Sequence, residues 1–228
     1  MPYKIKTENL HSCYNTANVR VGEWTTSISE VLPYIQVICE NEALQGQTAD
    51  AIYAYLKEVH ATILALFTQV TTEYISRFLL YTDKMNEIDS SYTGLFTEET
   101  FDTLAEVIPR KKSAYSSEVT ELNNVFTSVE DLITIFQWQD EGVCNEFDNI
   151  LSTVNRVNGE IYANEVNYSS GFDSIDTLLD QIEKLVTSCV AGGGIPEFYT
   201  PGSAGGVVDM GAVQTALDNS NEYLQSVS

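Results

Sequence analysis

Apolar residues recur three and four positions apart along most of this chain. That spacing places them on one face of an α-helix, whereas the alternating pattern of a half-buried strand is nearly absent. The sequence therefore predicts an all-α fold, an elongated antiparallel bundle of long, heptad-patterned helices. One exception remains open, because Asn158-Gly159 is a turn dipeptide typical of tight hairpins. Residues 156–170 are expected to form either one small β-hairpin or only a loop.

Two segments carry the longest helical patterns. The first predicts a helix from about Thr48 to Asp89, and the second predicts a helix from about Arg110 to Gln139 with unbroken heptad spacing. A shorter helix is expected to begin near Thr97 and to stop before Pro109, because the residue preceding a proline is disfavoured in the helical conformation. The chain thus provides long rods joined by short connections.

The apolar stripes on these rods are longer than a few helices can cover. A helix of about 40 residues is about 60 Å long, since each residue adds about 1.5 Å. Aromatic residues at helical spacing usually belong to a core, but part of so long a stripe should pack against partner helices. The predicted partner-facing stripe consists of Leu56, Ile63, Phe67, Phe78, Val119, Phe126, Ile133 and Phe136.

The charge balance excludes several classes of partner. The chain has 33 acidic and 11 basic residues, a formal net charge of −22 and an isoelectric point near 4.1. Nucleic acids and anionic membrane surfaces need clustered Lys and Arg, and the sole basic cluster is residues 110–112. The acidic chain instead favours proteins with apolar grooves or basic surfaces.

Neither a membrane span nor a secretory signal is evident in the sequence. No segment reaches the roughly 18 uninterrupted apolar residues of a spanning helix. Residues 1–6 lack the apolar region of a secretory signal peptide. We therefore expect no stable membrane span and, if the protein is exported, a route that does not use such a signal.

Candidate catalytic, cofactor-binding and metal-binding residues are also missing from the sequence. The two histidines, His11 and His60, have no convincing nucleophile partner, and no zinc-protease, serine-hydrolase or phosphate-loop motif occurs. The four cysteines are scattered singly, without the paired spacing of a zinc or redox site. We predict that the chain is not an enzyme and needs no cofactor or metal.

Composition changes sharply near the C-terminal end. Glycines and prolines concentrate between residues 191 and 212, which predicts a flexible linker. The expected organisation is a helical domain over residues 1–190, the linker over 191–212, and a last segment over 213–228. This last segment is either a short amphipathic helix or the beginning of a further domain.

A local motif brings in a family resemblance. Leu44-Gln45-Gly46 followed by the amphipathic helix from Thr48 closely resembles the signature of LXG domains, and the similarity extends over about residues 5–190. Physically, Leu44 can pack where the incoming helix turns. Gly46 can supply a left-handed or close-approach position, or simply cap a helix, and both readings stay open.

The resemblance implies a function in secretion. LXG domains are N-terminal targeting domains of polymorphic toxins of Gram-positive bacteria, which use them in bacterial competition. By this resemblance the chain is a non-catalytic helical domain, made in the cytoplasm and exported to the extracellular space or cell surface through the type VIIb secretion system without a cleavable signal peptide. A toxin domain usually follows such a domain.

The same resemblance implies the partners and an export motif. LXG-associated small helical targeting or chaperone proteins, similar to WXG-type substrates, are expected to bind the apolar flanks. The secretion system's membrane ATPase and its associated membrane subunit are expected to receive the complex. Phe172 and Asp176 resemble the aromatic–acid export motif of type VII substrates, as do Phe136 and Asp140 less strongly. In a helix, residues four apart share one face.

Two other functions remain as alternatives. The chain is a membrane-active helical toxin if an apolar hairpin of membrane-spanning length is hidden in it, although its most apolar windows are short and interrupted by polar residues. Alternatively, it is a coiled-coil adaptor protein without a role in secretion, which would form a stable homodimer.

Overall fold

The computed structural model describes residues 3–40, 45–134, 136–170, 172–191 and 199–227. The chain divides into two compact units. Unit 1 comprises residues 1–9 and 85–164, and unit 2 comprises residues 10–84 and 165–228. Each unit is built mainly from long helices, so the all-α prediction is confirmed.

The elements follow one another in a simple order. The bounds are β1 Lys4–Lys6, α1 Thr7–Glu40, α2 Gln47–Tyr55, a π-helix Leu56–His60, α3 Ala61–Ile88, β2 Leu95–Thr97, α4 Glu98–Ser128, α5 Glu141–Ser170, α6 Phe172–Ala191, a 3-10 helix Ser203–Gly206, and α7 Met210–Val227. The helix predicted between Thr48 and Asp89 is thus present as α2, the π-helix and α3 in succession.

Unit 1 contains a two-stranded antiparallel sheet, in which Ile5 of β1 pairs with Phe96 of β2. Thr7, at the start of α1, is buried. Its hydroxyl lies 2.8 Å from the carbonyl oxygen of Tyr92, and its amide donates to the carbonyl of Gly94 at 3.0 Å. Buried polar groups need such partners. Thr7 therefore fixes the loop before β2 to the end of β1.

The small sheet does not lie where the sequence suggested. The prediction of a small hairpin or a loop over residues 156–170 is wrong, because these residues belong to α5. Ile161 and Asn164 are buried on one face of this helix, and the side chain of Asn158 accepts a hydrogen bond from the hydroxyl of Tyr3. Burial at helical spacing outweighs the local turn preference of Asn158-Gly159.

The boundaries of α4 also differ from the prediction. The helix continues through Pro109 instead of stopping before it, and it buries Ile108 and Val119. It then ends at Ser128, well before Gln139. Val129 leaves the helical conformation with φ −120° and ψ 5°, and its amide bonds to the carbonyl of Phe126 at 3.2 Å. A short polar side chain at a helix end competes for backbone carbonyls, and the Ser128 hydroxyl donates to Val125 at 2.6 Å.

Within unit 1, α4 and α5 contact each other along part of their lengths. The ammonium group of Lys112 on α4 lies 2.6 Å from a carboxylate oxygen of Asp148 on α5. The rings of Tyr115 and Phe147 pack with centroids 6.3 Å apart. The ion pair is exposed, so it contributes little to stability, and the ring packing contributes more.

Unit 2 is organised around α6. The side chains of Leu178 and Leu185 are 0% exposed. They belong to a core cluster formed with α3, the π-helix and the C-terminal segment, which comprises residues 199–227. Its buried members are Val59, Leu66, Val70, Ile175, Leu178, Leu185, Ala204, Val208, Val213 and Ala216.

Within unit 2, the C-terminal segment also makes polar contacts with the π-helix and α6. The carboxylate of Glu58, in the π-helix, accepts hydrogen bonds from the hydroxyl of Tyr199 at 2.8 Å and from the amide of Gly202 at 2.9 Å. The side chain of Gln181 accepts from the amide of Asp209 at 2.9 Å. Hydrogen bonds to an ionised carboxylate are stronger than hydrogen bonds between neutral groups. The segment is therefore an integrated part of this core.

The predicted linker over residues 191–212 falls partly outside the described residues, which omit 192–198. Its described remainder is packed, because it contains the 3-10 helix and contributes buried Ala204 and Val208. The expected last helix is present as α7, which begins at Met210. The division at residues 190 and 212 stays a prediction.

Candidate partner-binding surface

A concave apolar groove of about 740 Å³ lies in unit 2 between α1, α3 and α6. We call it the α1–α3–α6 groove. Each helix contributes a face of residues three or four apart, which is the spacing of one side of a helix. The principal apolar residues that line it are Ala17, Val21, Trp24, Phe67, Val70, Tyr74, Phe78, Phe172, Ile175 and Leu179.

Aromatic contacts define the walls of the groove. The rings of Trp24 on α1 and Phe67 on α3 lie with centroids 5.7 Å apart. Tyr74 on α3 packs against Phe172 on α6 at 6.1 Å. Aromatic pairs at these separations are favourable beyond their buried area. They hold the three helices at a spacing that leaves the groove open between them.

A buried polar cluster fixes α3 against α6 beside the groove. Arg77 and Glu73 are 2% and 3% exposed, and their charged groups are 3.7 Å apart. The guanidinium of Arg77 also donates to the hydroxyl of Ser174 on α6 at 2.9 Å. Buried charges must be compensated in this way, so the cluster constrains the helix register.

A second polar contact joins α3 to the end of α5. The hydroxyl of Tyr81 donates to the carboxylate of Glu165. Burial, followed by this hydrogen bond and the negative charge of Glu165, raises the pKa of Tyr81 above its ordinary value of 10.0. Tyr81 is therefore neutral at physiological pH and acts as a donor.

The outward face of α1 extends the apolar surface beyond the groove. Trp24, Val31, Tyr34 and Ile38 are exposed, and Tyr34 is the most exposed of them at 70%. Their spacing of seven, three and four residues is that of a coiled-coil seam. The inward face of the same helix buries Val21 and Ile28. At 3.6 residues per turn the two sets adjoin each other, so α1 carries one broad apolar stripe whose inward side is buried and whose outward side is uncovered.

Two further features were sought among the described residues, a metal site and a membrane span. Among them, no group of three or more His, Cys, Asp or Glu is placed to hold a metal ion. No helix in the described ranges is both long enough and apolar enough to cross a membrane.

A comparison with protein families identifies the domain. The family model described as the LXG domain of the WXG superfamily matches residues 4–189. The chain belongs to the LXG domain family. No curated protein is detectably similar to it in sequence. The LXG match ends inside α6, so the 3-10 helix and α7 lie outside the matched range although they complete the core of unit 2.

The motif that gives the LXG family its name lies directly before α2. Leu44 is outside the described residues. Gly46 has φ +107° and ψ 171°, a conformation essentially restricted to glycine, and its carbonyl accepts the amide of Asp50 at 3.0 Å. No described atom lies within 4 Å of an added Cβ. Gly46 therefore serves the backbone at the start of α2, and a close approach of another segment at Gly46 stays a prediction.

The two aromatic–acid patterns of the LXG domain differ in structure. Phe172 and Asp176 lie on one face of α6 and both line the groove. Phe172 is half-buried against Tyr168, with ring centroids 5.0 Å apart, whereas Asp176 is exposed. Phe136 lies in the loop after α4, so it shares no helix face with Asp140. A role of Phe172 and Asp176 in export stays a prediction.

The residues of the predicted partner-facing stripe divide between the two units. Phe67 and Phe78 line the groove, although Phe78 is buried. Leu56 and Ile63 are half-buried, and Ile63 packs against the unit 2 core. These four residues lie in the helical segments of unit 2.

In unit 1 the stripe continues only as far as α4 does. Val119 is buried and Phe126 is half-buried. Ile133 and Phe136 are exposed but lie beyond the end of α4, so their assignment to a helical stripe is wrong. Whether any of the eight stripe residues contacts a partner stays a prediction.

Sequence reasoning missed the part of the groove that α1 supplies. The spacing of Cys13, Ala17, Val21 and Trp24 was the available signal, since residues at such intervals share a helix face. Gly22 and the polar residues around it interrupt the pattern and conceal it.

Proposed function

We propose that this LXG domain is a non-catalytic export-targeting module of a toxin. It binds small helical partner proteins and directs the toxin to the type VIIb secretion machinery, for use in bacterial competition. The observation that carries the proposal is the α1–α3–α6 groove, together with the uncovered apolar face of α1. Membership of the WXG superfamily supports the connection with type VII secretion.

The groove has the features that suit an amphipathic helix. Three helices form its walls and floor, and its lining is mainly aromatic and aliphatic. An incoming helix would present apolar residues at positions i, i+3, i+4 and i+7, as in other helix-in-groove complexes. Large rigid side chains such as Trp24 and Phe67 are the type that dominates binding energy at interfaces.

The outward face of α1 supplies further contact area for the same partner. Trp24 belongs both to the groove and to the exposed seam that continues to Ile38. A helical hairpin, in which one arm occupies the groove and the other follows α1, would cover both surfaces. Heptad spacing of the exposed residues supports this mode of packing.

The remaining steps of the proposal concern delivery. The assembled complex is received by the membrane ATPase of the secretion system and its associated membrane subunit. The protein is then exported to the extracellular space or cell surface. Asp176 at the edge of the groove is a candidate contact for the receptor, because it is exposed on the same helix face as Phe172.

The test is co-purification of the tagged chain with the small helical proteins encoded beside its gene. Trp24→Glu places a charge at the edge of the groove and should weaken partner binding at least about tenfold. Leu79→Glu is the matched control, because Leu79 is an exposed apolar residue of α3 that does not line the groove. Circular dichroism should show that both variants are folded.

Two results would contradict the proposal. One is equal partner binding by both variants, which would place the interface elsewhere. The other is recovery of the wild-type chain as a stable homodimer without any neighbouring protein, which would favour a coiled-coil adaptor. Phe67→Glu provides a second groove variant, which should lose the partner in the same way as Trp24→Glu.

A further inference from the structure

The loop between α4 and α5 exposes a group of large apolar side chains. We define the described residues 129–134 and 136–140 as the α4–α5 tip. Phe136 is 89% exposed and Leu132 is 77% exposed, while Ile133 and Trp138 are more than half exposed. Single exposed apolar residues are ordinary, but four within seven positions form a patch of the kind that marks an interaction site.

Hydrogen bonds hold the tip at both of its ends. The side chain of Asn123 on α4 accepts the amide of Trp138 at 2.7 Å and donates to the carbonyl of Trp138 at 2.9 Å. The indole nitrogen of Trp138 donates to the hydroxyl of Tyr115 at 3.1 Å. The amide of Leu132 bonds to the carbonyl of Val129 at 3.0 Å. These bonds reduce the entropy that a partner would otherwise have to remove on binding.

Charge distinguishes among the possible occupants of this patch. Between Ser113 and Asn155 the chain has eight acidic residues and no Lys or Arg. Of these, Glu130, Asp131 and Glu141 are exposed beside the apolar side chains. A second copy of the chain would bring like charges together, and an anionic bilayer would repel the tip. The complementary surface is apolar at its centre and basic at its border.

We propose that the α4–α5 tip is a second interaction surface, which inserts Phe136 and its apolar neighbours into an apolar pocket bordered by Lys or Arg on a partner protein. The aromatic group anchors the contact, and the acidic residues select the partner and accelerate its association. This surface lies in unit 1 and shares no residue with the groove in unit 2. It therefore goes beyond the proposed function.

The test is photo-crosslinking of the full chain in its native host. A benzoylphenylalanine probe replaces Phe136, and the matched probe replaces Tyr162, an exposed aromatic residue of α5 in the same unit. The expected result is one protein adduct from position 136 that is absent from position 162. Its crosslinked peptide should map to an apolar pocket bordered by Lys or Arg.

Charge removal provides the second arm of the test. Glu130→Gln combined with Asp131→Asn keeps the shape of both side chains and removes two negative charges. The adduct yield at position 136 should fall about fivefold or more, and added salt should lower the wild-type yield in cell extract, because screening weakens exposed charge contacts.

Several outcomes would overturn the proposal. These are an adduct with a second copy of the chain, an adduct with lipid, equal adducts at positions 136 and 162, no adduct at all, or a yield unaffected by charge removal. Binding of the purified chain to vesicles of phosphatidylcholine and phosphatidylglycerol would also contradict it. Trp24→Glu separates the two surfaces, since it should remove the groove partner and leave the adduct at position 136 intact.

Discussion

The core around α6 and the α4–α5 tip are both rich in large apolar side chains and use them in opposite ways. In unit 2, α6 packs against α3, the π-helix and the C-terminal segment, so Leu178 and Leu185 are fully buried. In unit 1, the tip joins α4 to α5, and no described element covers Phe136. The number of elements that surround a residue decides its burial, whereas the heptad pattern only places it on a face.

The largest expected effect comes from shortening the chain to residue 189, where the LXG match ends. This removes Ala204, Val208, Val213 and Ala216 from the unit 2 core and exposes Leu178 and Leu185. The free energy of unfolding should fall by more than about 4 kcal/mol, because many buried apolar contacts are lost together. Urea denaturation of unit 2 measures this. A chain ending at Asn219 keeps all four residues and serves as the control.

Truncation of single apolar side chains compares the contributions of the core and the tip to stability. Leu178→Ala should lower the free energy of unfolding by about 3 kcal/mol, since it leaves a cavity at a fully buried position. Its neighbour Leu179 is exposed, so Leu179→Ala should change the free energy of unfolding by no more than about 0.5 kcal/mol. Phe136→Ala at the tip should be equally mild. Thermal or urea unfolding of all three variants decides the point.

A large stability loss for Phe136→Ala would contradict the contrast, because it would mean that the tip supports the fold. A small loss for Leu178→Ala would contradict it from the other side.

A smaller effect is expected at the start of α2. Gly46→Ala should destabilise the chain by about 1–3 kcal/mol, because a φ of +107° is strained for any residue with a Cβ. Gly22 lies inside α1 with open space around it, and Gly22→Ala should stabilise by about 0.5–1 kcal/mol through helix propensity. Thermal unfolding should therefore show a lower melting temperature for Gly46→Ala and a higher one for Gly22→Ala than for the wild-type chain. Equal signs would show that the conformation of Gly46 is not required.

The smallest expected effect appears only in alkaline solution. The pKa of Tyr81 is raised in the folded state, so folding favours its neutral form. Stability from this group is complete below the unfolded pKa of about 10 and is lost as the pH rises above it. Tyr81→Phe should therefore reduce the decline in stability measured between about pH 9 and pH 11. An unchanged decline would indicate that Tyr81 does not contribute to it.

The sequence was sufficient to predict the helical class and the long helix that begins near Thr48, because these depend on apolar spacing over many residues. It did not predict that α4 passes through Pro109 or ends at Ser128. Both boundaries depend on tertiary contacts, such as the burial of Ile108 and the bonds from Asn123 to Trp138. At Asn158-Gly159, too, burial of the helix outweighs the local preference of the dipeptide for a turn.

The candidate site was predicted in part for a related reason. Phe67, Phe172 and Asp176 were named from the sequence and line the groove. The contribution of Trp24 was missed, because Gly22 and the polar residues around it interrupt the apolar pattern of α1. Which face is covered depends on α3 and α6, and these helices are distant in sequence.

The proposed function requires that the domain directs export through the type VIIb system. The most direct measurement compares the amount of tagged chain in the culture medium of its native host with the amount released by a strain that lacks the secretion ATPase. We expect release from the first strain and retention in the second, with Trp24→Glu retained in both. Equal release from the two strains, or retention of the wild-type chain in both, would contradict it.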